Sequence, residues 1–150
     1  MRGRDRRRPA QRAETVLRGL ALGYPEAYEE FPWGHRAIKV RGKAFVFMAS
    51  ENHELSLSVK LPVSSMGALI FPFAAPTGYG LGKSDWVTSR FGPGDPIPVG
   101  LLGTWIDESY RAIAPQRLVA RLPAAADGAA PSAPLSPPRA GRARRRRATR

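Results

Sequence analysis

The sequence contains no cysteine among its 150 residues. A disulfide framework, a thiol nucleophile, a zinc ribbon and an iron–sulfur site are therefore excluded. Such a composition suits a reducing cytoplasm, the expected location. Histidine is nearly as scarce: only His35 and His53 occur, and neither has a ligand-type residue two, three or four positions on. No metal and no cofactor are expected. No run of 18 apolar residues exists, so no helix is expected to span a bilayer and no membrane partner is expected. Acid is in short supply, with 12 Asp+Glu against 24 Lys+Arg, a net charge of +12.

That charge is unevenly placed. Residues 1–8 carry five Arg and Asp5, and residues 123–150 carry seven Arg and Asp127, so the two ends together hold +10. Residues 9–122 carry 12 basic and 10 acidic side chains, or +2. Arg-rich ends with little to bury cannot offset their ordering entropy. The expected organisation is a disordered basic tail over 1–8, one domain over 9–122, and a Pro/Ala-rich linker with an Arg-rich disordered tail over 123–150. The linker holds Pro123, Pro131, Pro134, Pro137 and Pro138.

Between the ends the hydrophobic period changes in a readable order. Residues 11–22 place Val16, Leu17 and Leu20 on one face of a helix. Residues 36–41 alternate, with Ile38 and Val40 opposite Lys39 and Arg41, and Gly42 marks a turn. The apolar run 44–49 predicts a strand covered on both faces. A turn at Glu51-Asn52-His53 leads to 55–61, where Leu55, Leu57, Val59 and Leu61 alternate with Ser56, Ser58 and Lys60. Three strands joined by short turns predict an antiparallel meander. A short helix over 64–71, capped by Ser64 or Ser65, and a fourth strand over 86–91 follow. A long helix over 98–113 carries Leu101, Leu102, Trp105, Ile106, Tyr110 and Ile113 as its apolar stripe, and a last turn after Pro115 presents Leu118, Val119 and Leu122. The fold class is α+β: an antiparallel sheet of about four strands with helices on one face.

Several motifs invite a catalytic reading and fail. Gly82-Lys83-Ser84 resembles the end of a phosphate-binding loop, but the first Gly of that motif belongs at position 77, which is Thr, and a strand rather than a helix follows. Glu29-Glu30 and Asp107-Glu108 are adjacent carboxylates, and on a helix neighbours diverge by about 100°, so neither pair is an acid/base dyad. Ser109 has no Gly-x-Ser-x-Gly elbow around it. No enzyme is expected.

The strand exteriors carry a different signal. If the apolar residues face in, then Lys39, Arg41, Lys60, Arg90, Ser56, Ser58, Thr88 and Trp86 face out together. Cations interleaved with an aromatic are what phosphate neutralisation with base or sugar contact would use.

The chain also resembles a known family. Phe31-Pro32-Trp33-Gly34-His35, the run Ile38 to Phe45, Leu57-Ser58-Val59-Lys60-Leu61-Pro62, the segment Gly78 to Lys83, Trp86-Val87, Trp105-Ile106 and Ser109-Tyr110 are similar, in order and spacing, to the MmcQ/YjbR family. The resemblance runs from about residue 14 to 122. It implies a small bacterial α+β protein of double-wing fold, related to a DNA-binding domain; the long basic ends depart from it.

Together these readings predict a non-enzymatic DNA-binding protein making mainly phosphate contacts, without sequence preference. The candidate contacts are Lys39, Arg41, Lys43, Lys60, Lys83 and Arg90, with Arg144, Arg145, Arg146 and Arg147 in the tail. The alternative is a small-molecule or protein interaction module, with a pocket near the Trp33-Gly34-His35 turn formed by Trp33, His35, Tyr79 and Trp86. The sequence sets no oligomeric state.

Overall fold

The computed structural model describes residues 2–31, 35–78 and 81–123. The chain divides into two units, Met1–Val119 and Ala120–Arg150. The first unit runs α1 (Arg2–Leu22), β1 (Tyr28–Glu30), β2 (Arg36–Val40), β3 (Lys43–Glu51), β4 (Glu54–Lys60), α2 (Ser65–Ala68), β5 (Ala74–Pro76), a 3₁₀ turn (Leu81–Ser84), β6 (Trp86–Phe91), α3 (Val99–Ile113) and α4 (Gln116–Val119).

The chemistry of the turns explains the pairing. Arg41 and Gly42 join β2 to β3 at φ of 53° and 82°, and Asn52 and His53 join β3 to β4 at 54° and 69°. Two successive residues at positive φ give the hairpin turn whose twist matches that of its strands. The sheet is antiparallel throughout, in the order β1-β2-β3-β4-β6-β5. It has six strands where alternation predicts about four. The additional two, β1 and β5, are three residues long, too short for a period of two to show, and as edges they offer little to pair with another chain.

Cross-strand partners share a face. Val46, Val59 and Val87 form one row, Met48, Leu57 and Ser89 the next, and Ser50, Leu55 and Phe91 a third. Helices α1 and α3 pack over this side. From α3 come Leu102, Trp105, Ile106, Ser109 and Tyr110, all buried, on the predicted stripe except for Ser109. Helix α1 differs. Its buried residues are Ala10, Ala13, Leu17 and Ala21, while Val16 and Leu20 are about half exposed. Small alanines let the helix lie close, and that stripe is invisible to a search for large apolar residues. Leu20 instead reaches towards Gly103 of α3, where an added Cβ would sit 3.2 Å from its Cδ1. Helix α1 also starts at Arg2, so the backbone of residues 2–8, read from composition as a disordered tail, continues the helix; arginine is a good helix former.

One irregularity shapes the core. Ile38 opposes Val46 but Lys39 opposes Ala44, so Phe45 is left over in a β-bulge. Phe45 and Val46 are both fully buried. The extra residue turns Phe45 towards the helices, edge-on to Tyr110 at 5.1 Å between ring centroids, with Tyr24 stacked on Tyr110 at 4.6 Å. The regular β3–β4 ladder stops at Val46 and Val59. Beyond it the Ser109 hydroxyl donates to the Phe45 carbonyl at 2.6 Å and accepts the Lys60 N–H at 2.9 Å. A single buried hydroxyl satisfies two backbone groups that the bulge parts.

Candidate nucleic-acid interface

Alternate residues of the same strands face away from the helices. In register these are Tyr28 with Lys39, Phe47 with Ser58 and Thr88, Ala49 with Ser56 and Arg90, and Lys60 with Trp86. The register expected for β4 and β6 is therefore the observed one. At the centre the Ser58 and Thr88 hydroxyls lie 2.7 Å apart, and Thr88 lies 2.9 Å from the Thr77 hydroxyl. Three hydroxyls with two contacts use two of three O–H protons, so the chain keeps one proton for a further acceptor. Beside it the Phe47 and Trp86 rings meet at 5.5 Å, tilted by 47°. Trp86 is only 7% exposed, which makes it a wall of the patch and not an open stacking platform.

The cations on this side do not behave alike. Lys39 Nζ lies 2.7 Å from Glu30, and its hydrogen bond to that carboxylate raises the lysine's pKa. Glu30 reaches this face because β1 pairs with β2, placing it opposite Ala37; it is an acid that alternation in the longer strands does not reveal. Arg41 corrects the expectation of a shared face with Lys39 and Lys60. It sits at φ 53° in the β2–β3 turn, where alternation has ended, and its Nε lies 2.6 Å from Glu26. Lys43 opens β3 as the partner of Val40, one residue out of phase with Lys39 and so off this face, while Lys60 closes β4, Lys83 lies in the 3₁₀ turn and Arg90 is exposed on β6. These four make no ion pair among the described residues. Lys60 is the direct cross-strand partner of Trp86, at the same end of β6 as the 3₁₀ turn, and Arg90 lies four residues along that strand.

The other motif residues have structural positions. An added Cβ on Gly82 would meet Pro76 Cβ at 2.7 Å, so this glycine allows the 3₁₀ turn to pack against β5. Asp107 accepts from the Tyr24 hydroxyl at 2.7 Å and from Arg111 Nε at the same distance. Burial is the main cause that raises the Tyr24 pKa, with Asp107 adding to it. Glu108 accepts the backbone N–H groups of Val63 and Ser64 and the Ser64 hydroxyl. Ser64 precedes α2 but gives its hydroxyl to Glu108 and makes no capping bond, one reason the helix is four residues long and not eight. His35 is exposed just before β2. His53, in its turn, has a buried Nδ1 with no hydrogen-bond partner, unlike the solvated ring its loop position suggests. Trp33, Tyr79, Arg144, Arg145, Arg146 and Arg147 lie outside the described residues. Among the described residues no three His, Cys, Asp or Glu side chains come together as metal ligands, and no helix is long and apolar enough to cross a membrane.

Residues 22–112, from the last residue of α1 through all six strands and nearly all of α3, match the YjbR family. The chain belongs to the YjbR family. No curated protein matches it. The match leaves out most of α1 and everything after α3, so both basic ends lie beyond the YjbR region.

Proposed function

We propose that this YjbR protein binds DNA without catalysis and without sequence preference, acting in the cytoplasm through contacts to phosphate. The observation that carries this reading is the segregation of charge, with +10 held in residues 1–8 and 123–150 against +2 in the remaining 114. A chain of this kind binds polyanions by releasing their counterions. The sheet face adds Lys60 and Arg90 beside hydroxyls, groups that contact phosphate and sugar and read no bases. Against an enzyme stand the carboxylates of Asp107 and Glu108, both engaged in holding neighbouring segments. A second reading keeps a small-molecule or protein module with a site near the Trp33-Gly34-His35 turn, where His35 is exposed just before β2.

A titration of the full chain against duplex DNA at several salt concentrations tests the proposal. Replacing Arg144, Arg145, Arg146 and Arg147 by alanine should make the slope of log K on log salt shallower by about 3–4, near 0.9 for each phosphate no longer neutralised. A slope near zero in the unaltered chain would discard DNA binding and leave the pocket reading. An unchanged slope in the variant would remove these four arginines from the contact.

A further inference from the structure

Leu61 to Gly82 is a run of 22 residues without a charge, in a chain with 36 charged side chains, and it is bounded by Lys60 and Lys83. Within it, α2 and its flanking turns leave Val63 86%, Met66 84% and Ile70 82% exposed, with Leu69 and Phe71 at 39% and 40%. Val63, Met66 and Ile70 follow the i, i+3, i+7 spacing of one helical ridge, on the outside of a segment whose Leu61 and Ala68 are buried. The ridge is held firmly at its base. Glu108 of α3 accepts three hydrogen bonds from residues 63 and 64, Ser65 donates to Asp85, and Phe71 stacks on Phe73 at 5.0 Å and meets Trp105 edge-on at 6.0 Å. A contiguous apolar patch on a fixed support marks an interaction surface.

We infer that this ridge is the contact between two copies of the chain, related by a two-fold axis with Met66 and Ile70 of each at its centre. Area and charge both favour this occupant. The five side chains expose on the order of 600 Å² per copy, close to the about 800 Å² each partner buries in a stable interface of standard size. The +10 held in residues 1–8 and 123–150 lies outside the uncharged run, so two copies can touch along that run without bringing like charges together. Residues on the ridge meet their own kind across an isologous contact, as a C2 dimer requires. An anionic lipid surface fits less well. The ridge has no Lys, Arg or Trp among its residues, and the carboxylates of Glu108 and Asp85 lie at its foot.

Sedimentation equilibrium of the full chain at moderate salt, without DNA, tests the inference. The wild type should have twice the 16.3 kDa chain mass, and Met66→Asp with Ile70→Asp should weaken self-association at least 100-fold, leaving a folded monomer. A monomeric wild type, or a variant that stays dimeric with unchanged affinity, overturns it. Because the chain has no cysteine, single cysteines report position. Oxidised Met66→Cys should form a linked dimer at least tenfold faster than Glu54→Cys at the opposite end of β4, and equal rates overturn the inference. A monomer that floats with phosphatidylglycerol vesicles, and loses this with the double substitution, would assign the ridge to lipid instead.

Discussion

The two faces of the YjbR sheet are built from alternate residues of the same strands, yet they solve different problems. On the side under α1 and α3 nearly every polar group has a partner. Glu29 takes both Arg18 Nε and its terminal nitrogen at 2.9 and 2.8 Å and Arg36 at 2.6 Å. Arg36 also donates to Glu14, which accepts the Ser50 hydroxyl. Two aromatic groups, Tyr24–Phe45–Tyr110 and Phe71–Phe73–Phe91–Trp105, fill the rest. On the other side a hydroxyl chain keeps an unused proton, and Lys60 and Arg90 carry charge that no acid among the described residues answers. Polar groups are paired on one face and left over on the other.

Substitutions can break that comparison. The largest effect should come from the helical side, where Trp105→Ala removes a side chain 4% exposed that Phe71 and Phe73 pack against, and should cost about 3–5 kcal/mol. Denaturant unfolding measures this; an unchanged midpoint would show that the ring is not part of the core. Ser109→Ala should cost about 2–3 kcal/mol, because it strands the Phe45 carbonyl and the Lys60 N–H in a buried place. Ser109→Thr, which keeps the hydroxyl, should lose less. Equal losses from the two would mean the hydroxyl bridge contributes little.

A smaller effect is tied to pH. Hydrogen bonding from Arg18 above all, then from Arg36, holds the Glu29 carboxyl at about 2 against the opposing influence of burial, compared with an ordinary 4.5. A carboxylate whose pKa is lower in the folded state contributes stability above 4.5 and loses it as pH falls towards 2. Glu29→Gln should thus destabilise at neutral pH by about 1–2 kcal/mol, since a charged hydrogen-bonding group is removed, and should flatten the fall of melting temperature between pH 4.5 and 2. A variant with the same acid limb as the wild type would remove Glu29 from the acid response.

These effects also mark where sequence and structure part. Strands β2, β3, β4 and β6 and helix α3 are legible because their apolar periods are long and regular. The Ser109 bridge is not, since a serine inside an apolar stripe looks like an interruption, and only the bulge at Phe45 shows why a hydroxyl is required. The bulge itself leaves no mark in a run where both neighbours are apolar. Of the candidate interface, Lys60 and Arg90 are legible from alternation. The Glu30 partner of Lys39 is hidden by the shortness of β1, and the departure of Arg41 into a turn follows from a positive φ that arginine rarely adopts. Exposure of Met66 and Ile70 is equally hidden, because an apolar residue in a short helix reads as core until its neighbours are known.

The smallest effect on stability should come from the open face, and it sharpens the comparison most. Lys60→Ala with Arg90→Ala removes two cations that make no ion pair among the described residues and lie on the solvent side of β4 and β6. Surface changes of this kind stay within about 0.5 kcal/mol. If both side chains contact phosphate, the slope of log K on log salt for duplex DNA should become shallower by about 2. Lys39→Ala serves as the contrast: its ammonium already faces Glu30, so releasing it gives up little net attraction for phosphate and should leave the slope nearly unchanged. Measured together, the pair and the contrast separate a binding face from a merely basic one. A double variant with an unaltered slope and unaltered stability would make the sheet face a bystander and leave DNA binding to the arginines beyond it. Equal changes from Lys39→Ala and the double variant would mean that the Glu30 pair opens when DNA arrives, since a cation can neutralise a phosphate only after releasing its carboxylate.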